Sequence, residues 1–178
     1  ARGAYAAIRG SGLEQDHDLI RLRIAACDYF LKRYKQAREE ARPLIDHGAR
    51  RPEALYYFAA ASRGLKLDGE YQAAMHQLID TYSEDTWAAE GLSHLASFHI
   101  VKDEDDQADA LFRELYDRFP RHRQSERAAW KIGWRAYRQG QFAEAVRYFE
   151  SAAVNFPRAD FRPSWIYWAG RAHEQLGE

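Results

Sequence analysis

A single cysteine, Cys27, rules out an internal disulfide. It falls two residues after Ala25, a helix-seam position, so it is expected to act as a small buried hydrophobe rather than a reactive thiol. No apolar run reaches the length of a transmembrane helix. No Met opens the chain and no signal peptide is visible, so a processed or excised chain starting at Ala1 is expected. With 26 Lys and Arg against 27 Asp and Glu, the net charge is −1, which argues against a general affinity for nucleic acid. The marks of catalysis are missing as well. There is no Gly-rich phosphate loop, no nucleophile elbow and no carboxylate pair spaced as acid and base. The seven histidines show no metal-ligand spacing, and His94 and His99, five apart, suit one helical face poorly. Residues 103–114 place Asp103, Asp105, Gln107, Asp109 and Glu114 at offsets like those of a calcium loop, but Ala108 stands where such a loop needs glycine. Asp103-Glu104-Asp105-Asp106 is therefore expected to be a solvated turn. No catalytic, cofactor or metal residue is nominated.

What the chain does have is 46% hydrophobic and 14% aromatic residues over 178 positions, enough for a sizeable core. The organising stretch is residues 126–159. It reads as two antiparallel helices. The first carries Ala129, Ile132, Gly133 and Ala136 on one face; Gly140 then ends it by taking φ > 0. The second carries Phe142, Ala145, Val146, Phe149 and Ala152 at helical spacing and stops at Phe156-Pro157. Gly133 and Ala145 are small enough to let the backbones approach closely, with Ile132 and Phe149 filling the seam.

Such a hairpin cannot bury its own apolar face, so copies should flank it. A step back of 37 residues gives Leu95-Ala96, Ala108, Phe112, Leu115 and Phe119-Pro120. A second step of 37 gives Phe58-Ala59, Met75, Leu78 and Tyr82, and a further 34 gives Ile24-Ala25, Ala37, Ala41 and Leu44. Forward, 37 residues lead to Ala169-Gly170 and Gly177. Ile132, Gly133, Gly140, Phe142, Ala145, Phe149, Ala152 and Pro157 make this pattern resemble the tetratricopeptide repeat. Two positions depart from it. The motif's first-helix Trp place holds Ala129, with Trp130 one residue on; its Tyr place holds Ala136, with Tyr137 beside it.

The resemblance implies an all-α fold, a right-handed α-α superhelix (solenoid) of tetratricopeptide-like helical hairpins. Repeats are expected at about 18–51, 52–85, 86–122 and 126–159, with a partial one at 163–178, in a single domain that is a fragment of a longer chain. Residues 1–9 are expected to be a helix tail ended by Gly10-Ser11-Gly12. Asp16 or Asp18 should cap the next helix. Pro43 should kink or shorten the helix of residues 35–46, and His47-Gly48 should close that unit. Pro52 suits a helix start. Leu67-Asp68-Gly69 should join helices 52–64 and 70–81, and Tyr71, at a small-residue place, should widen their crossing.

In such an array the first helix of each pair lines the concave face. There the fourth and fifth units present Arg127, Trp130, Trp134, Tyr137 and Arg138, then Tyr167, Arg171 and Glu174. Aromatics with arginines suit a sugar ring or a peptide, guanidinium groups meeting carboxylates. Against this stands plain packing of Trp130 and Trp134 between repeats. The earlier equivalents (Ser93, Ser97, Ile100; Tyr56, Ala60, Arg63) are less distinctive, so a site is expected toward the C-terminal end.

Residues 127–177 are also similar to the helical region of soluble lytic transglycosylases, through Trp130, Gly133-Trp134-x-Ala136-Tyr137-Arg138-x-Gly140 and Trp165-x-Tyr167-Trp168-Ala169-x-Arg171-Ala172-x-Glu174-x-Leu176-Gly177. That resemblance implies a periplasmic or cell-envelope location, with the cytoplasm left open, and a non-catalytic segment that positions an in-chain catalytic domain or contacts peptidoglycan. The catalytic domain itself is absent. Glu150-Ser151, the dipeptide that opens its motif in that family, lies inside a repeat helix and is assigned no role. The competing reading is a cell-envelope scaffold that binds protein or peptide partners.

Overall fold

The computed structural model describes residues 1–8, 14–47 and 50–178, and among them it contains ten α-helices and no strand. The helices are α1 (Arg2–Ala7), α2 (Glu14–Phe30), α3 (Tyr34–Asp46), α4 (Arg51–Gly64), α5 (Asp68–Thr81), α6 (Thr86–Val101), α7 (Asp105–Arg118), α8 (Arg123–Arg138), α9 (Phe142–Asn155) and α10 (Arg162–Leu176). The chain divides into two compact units, Ala1–Gly91 and Leu92–Glu178.

One device makes the hairpins. Positive φ occurs at Lys32, Lys66, Asp103, Gly140 and Gly177, at intervals of 34, 37, 37 and 37 residues. At each, the next residue's N–H reaches back to the carbonyl five residues earlier: Arg33 to Asp28 (2.8 Å), Leu67 to Ser62 (3.0 Å), Glu104 to His99 (3.0 Å), Gln141 to Ala136 (2.9 Å) and Glu178 to His173 (3.1 Å). This is the Schellman closure, which satisfies a carbonyl left open at the helix end. The residues that follow the first four left-handed positions share one conformation, with φ between −84° and −97° and ψ between 60° and 63°, and start the return helix without a side-chain cap. Three return helices, α5, α7 and α9, end alike on an aromatic residue, Tyr82, Phe119 and Phe156, whereas α3 ends at His47.

In the first unit α4 is the hub. Residues 53–62 are all buried, flanked by α3 and α5 and touched by α2. Two buried acids are tied by arginines. Glu53 takes a two-pronged bond from Arg23, and Asp28, fully buried, takes Arg2 Nε at 2.6 Å from α1. Gly64 allows Tyr34 to sit against the end of α4, since a Cβ there would lie 2.5 Å from the ring. In the second unit Ala129, Ile132, Gly133 and Ala136 of α8 close on Ala145, Phe149 and Ala152 of α9, all of them buried. A Cβ on Gly133 would stand 2.5 Å from Phe149 Cε1, so the close approach expected at this position is present. Trp165, Ala169 and Ala172 of α10 are buried, and α10 packs on α9.

Several expectations are corrected. Asp16 and Asp18 lie inside α2, which begins at Glu14, so neither precedes the helix as a cap. Gly69 is not in a turn. It belongs to the first turn of α5, and Lys66 supplies the left-handed residue instead. Pro43 sits within α3, which continues to Asp46, so it does not shorten the helix. Cys27 is only half-buried. The calcium-like stretch is a helix from Asp105 onward, which cannot wrap its oxygens around an ion. α8 starts at Arg123, three residues early, because the His122 ring nitrogen accepts the Gln124 N–H and Ser125 Oγ donates to the Phe119 carbonyl at 2.7 Å. The turns expected at Gly10-Ser11-Gly12 and Gly48 lie outside the described residues.

Candidate functional site

The candidate face is built on α8. Its buried side is occupied by small residues against α9, which leaves Arg127, Trp130, Lys131, Trp134, Arg135, Tyr137 and Arg138 on the other side. The two departures from the repeat pattern explain the aromatics. Ala129 and Ala136 occupy the core places, fully buried. Trp130 and Tyr137 follow one residue later, and one residue turns a side chain by about 100° around a helix of 3.6 residues per turn. The rings that the repeat normally buries are thereby carried to the open face.

There they form one array. Trp130 and Trp134 stack at 5.9 Å and 4°, and Trp134 and Tyr137 at 6.0 Å and 5°. Trp168 of α10 stands edge-on to Trp134 (4.7 Å, 68°) and to Tyr137 (4.9 Å, 67°). Phe161 bridges Trp130 (6.2 Å) and Trp165 (5.9 Å). Trp130 also lies 5.9 Å from the seam ring Phe149. Each contact of this kind contributes roughly 0.5–1.5 kcal/mol beyond its area. Trp130, Trp134, Tyr137 and Trp168 are half-buried by this mutual packing, whereas Tyr167, edge-on to Trp168 at 5.3 Å, remains 59% exposed.

Of the seven nominated residues, the array joins Trp130, Trp134, Tyr137 and, through Trp168, Tyr167. The arginines disperse. Arg127 turns toward α6 and α7, donating to Ser97 Oγ at 3.0 Å with its guanidinium 5.8 Å from the Phe112 ring. Arg171 pairs with Glu174 at 2.5 Å. Arg138 lies on a cleft of about 360 Å³ between α8 and the α6–α7 pair, together with Trp134, Lys131 and Arg135. Lys131 and Arg135 are functional candidates that the sequence reading passed over. Their signal was the one-face spacing 127, 131, 135, 138 on a helix already known to be amphipathic.

Several other polar groups have structural partners. Glu150 accepts from His173 Nε2 at 2.9 Å, and Glu178 pairs with Nδ1 at 2.7 Å; these two carboxylates, Glu150 foremost, raise the His173 pKa. Ser151 accepts the Tyr116 hydroxyl at 2.9 Å. His99 Nδ1 bonds to Glu104 across the turn at 2.6 Å. No helix among the described residues is long and apolar enough to cross a membrane, and no group of three or more His, Cys, Asp or Glu among them can hold a metal.

A second aromatic cluster, not foreseen, lies in the first unit. Tyr57 meets Tyr29 (5.9 Å), Phe30 (6.4 Å) and Trp87 (5.7 Å), and Tyr56 meets Trp87 at 4.9 Å. Phe30 is 73% exposed. Burial raises the pKa values of Tyr29, Tyr56 and Tyr57.

Repeated hairpins with a shared turn, small seam residues and aromatic-ended return helices define an all-helical repeat array of the tetratricopeptide type. The tetratricopeptide repeat family matches the chain over residues 127–159, the hairpin of α8 and α9. Among solved structures, a crystal structure of MamA is similar with a TM-score of 0.63 and 18% identity, over 88% of this chain and 87% of that one. A second MamA structure, from AMB-1, has a TM-score of 0.58 and 13% identity, over 92% and 85%. At these identities the likeness is one of fold. No curated protein sequence matches the chain. Neither the family nor these two structures links it to lytic transglycosylases.

Proposed function

We propose that this chain is a non-catalytic scaffold that binds a protein or peptide partner on the face of α8 and α10, through Arg127, Trp130, Trp134, Tyr137, Arg138, Tyr167 and Arg171. The observation that supports it is the stacked Trp130–Trp134–Tyr137 array, whose rings keep open area beside exposed Tyr167 and Arg138. Aromatic rings with cations at their rim are the residue types that anchor interfaces. The repeat fold favours this general scaffold over the narrower reading. In that narrower reading the segment positions a peptidoglycan-cleaving domain in the cell envelope, which rests on the residue resemblance of 127–177 alone.

The test is selection from a displayed random-peptide library. Peptides that bind the wild-type chain should lose binding to the Tyr167→Ala/Arg138→Ala variant at unchanged thermal midpoint, since both side chains are exposed. Selected peptides that bind the variant equally well would remove this face as the site. Trp134→Ala is the poorer probe, because Trp134 also packs against Trp168.

A further inference from the structure

We infer that the hairpin-tip edge of the first unit is a docking surface for an anionic lipid membrane, into which Phe30, Leu31, Leu65 and Leu67 insert while neighbouring cations meet the headgroups. This goes beyond the scaffold reading and shares no residue with the α8–α10 face.

The edge is made by two neighbouring turns. Tyr34, which opens α3 just after the first turn, lies against Gly64, which ends α4 just before the second. Every residue of 30–33 and of 64–67 is exposed. Phe30 is 73%, Leu31 54%, Leu65 38% and Leu67 42% exposed. Single exposed leucines are ordinary, but four large apolar side chains on two touching turns form a patch. Its rim carries one sign of charge. Lys32, Arg33, Lys35 and Lys66 are exposed within 30–35 and 64–67, and no acid lies in either stretch. Asp68, the next residue along, is half-buried and engaged in contacts of its own, and Asp28, 3.8 Å from Arg33, is fully buried.

The turn itself does not demand these residues. The third and fourth turns share the left-handed residue and the back-reaching hydrogen bond, and their tips read Val101-Lys102-Asp103-Glu104 and Arg138-Gln139-Gly140-Gln141. The place of Leu31 and Leu65 is taken there by Lys102 and Gln139, and that of Leu67 by Glu104 and Gln141. Polar residues close the same turn, so the leucines of the first two serve something other than closure.

Composition selects lipid over protein. Protein interfaces are depleted in lysine, and their energetic anchors are Trp, Tyr and Arg more than Leu. Leu and Phe rimmed by Lys and Arg, on a protruding tip, are what a membrane interface takes up. The apolar side chains reach the acyl boundary, and the long cationic ones lie back toward the headgroups. Each cation near an anionic leaflet strengthens the attachment about fivefold.

The experiment is sedimentation of the full chain with vesicles of phosphatidylcholine alone and of phosphatidylcholine and phosphatidylserine in equal parts. Binding is expected to the mixed vesicles, with binding to phosphatidylcholine alone weaker by about tenfold or more. Raising the salt should weaken it further. Leu31→Ser/Leu65→Ser should weaken binding to the mixed vesicles by about tenfold or more. Lys32→Asn/Lys66→Asn should do so to a similar extent, since asparagine keeps the left-handed turn and removes the charge. All four side chains are exposed, and circular dichroism should show both variants folded. Val101→Ser, at the third tip, should change nothing. Equal binding to the two kinds of vesicle would overturn the inference. So would loss in the lysine variant without loss in the leucine variant, because charge alone would then meet the membrane, or an effect of Val101→Ser as large as that of the leucine pair. Absence of vesicle binding would overturn it too; if library-selected peptides then lost affinity for Leu31→Ser/Leu65→Ser, the edge would be a protein contact instead. The α8–α10 reading stands or falls separately, on Tyr167→Ala/Arg138→Ala.

Discussion

Gly133 and Gly170 occupy the same place in successive repeats, and replacing each by alanine should have opposite effects. In a helix interior, alanine is favoured over glycine by up to about 1 kcal/mol, so propensity alone predicts stabilisation at both. Geometry reverses the sign at Gly133. An added Cβ would lie 2.5 Å from Phe149 Cε1 and 2.8 Å from Cδ1 and Cζ. Ordinary contact requires α9 or the ring to retreat by close to 1 Å. Phe149 is fully buried and packed against Trp130, so it has nowhere to swing. Overpacking of this kind costs about 1–3 kcal/mol, which after the propensity gain leaves a net loss of up to about 2 kcal/mol. At Gly170 a Cβ meets nothing within 4 Å, and Gly170→Ala should stabilise by about 0.5–1 kcal/mol, the propensity term. The preceding hairpin sets the scale, since Ala96 and Phe112 fill the equivalent places there and both are buried. That pair accepts a Cβ, and the α8–α9 pair would have to open toward the same spacing. Urea unfolding followed by tryptophan emission is the assay. Four of the five tryptophans, 130, 134, 165 and 168, lie in the second unit, so the signal reports the unit being perturbed. The midpoint should fall for Gly133→Ala and rise for Gly170→Ala, with the slope unchanged. A rise for both would refute the close helix approach on which the hairpin reading depends.

Two further outcomes follow from the turns and ion pairs. Lys66→Gly and Asp103→Gly should each raise the thermal midpoint, by about 0.5–1 kcal/mol of stability, because an L side chain is held at φ 62° or 59°, whereas Gly140→Ala (φ 74°) should lower it by about 1 kcal/mol; the reverse ranking in a melting series would contradict the shared left-handed turn. Glu70, bonded first by Arg38 and also by Ser62, has its pKa lowered from 4.5 to about 2. Because the folded value lies below the unfolded one, its contribution is fully present above about pH 4.5 and disappears as pH falls toward 2. With both side chains about 30% exposed, screening reduces that contribution to about 1 kcal/mol. The stability difference between wild type and Glu70→Gln, measured by urea unfolding, should therefore shrink between pH 4.5 and 2, and a difference constant with pH would rule out the pairing.

The repeat was legible because its marks are local. Small residues at the seam, an aromatic residue at the end of three of the four return helices and a step of 34 or 37 residues all appear in one dimension, and the left-handed residues fall at those same intervals. Less could be read where one conformation is reached by different residues. Lys32, Lys66 and Asp103 do at three turns what Gly140 does at the fourth, and nothing in a lysine announces φ > 0. Gly69 misled for the converse reason, since glycine tolerates a helix as well as a turn.

The candidate site divides in the same way. Trp130, Trp134, Tyr137 and Arg138 could be placed on one helix face from their spacing. That Trp168 stands edge-on to two of those rings, half-burying them, depends on how α10 packs beside α8. The meeting of Tyr29, Tyr57 and Trp87, and the freedom of Lys131 while Arg135 is bound to α7, depend likewise on helices far apart in the chain. Sequence by itself determined the helices, their order, the hairpin period and the residue types on each face, because these follow from spacing along a regular backbone. Which rings are covered, which cations lack a partner and which glycine is crowded were decided only by tertiary structure, because each is a distance between elements that no pattern within one element contains.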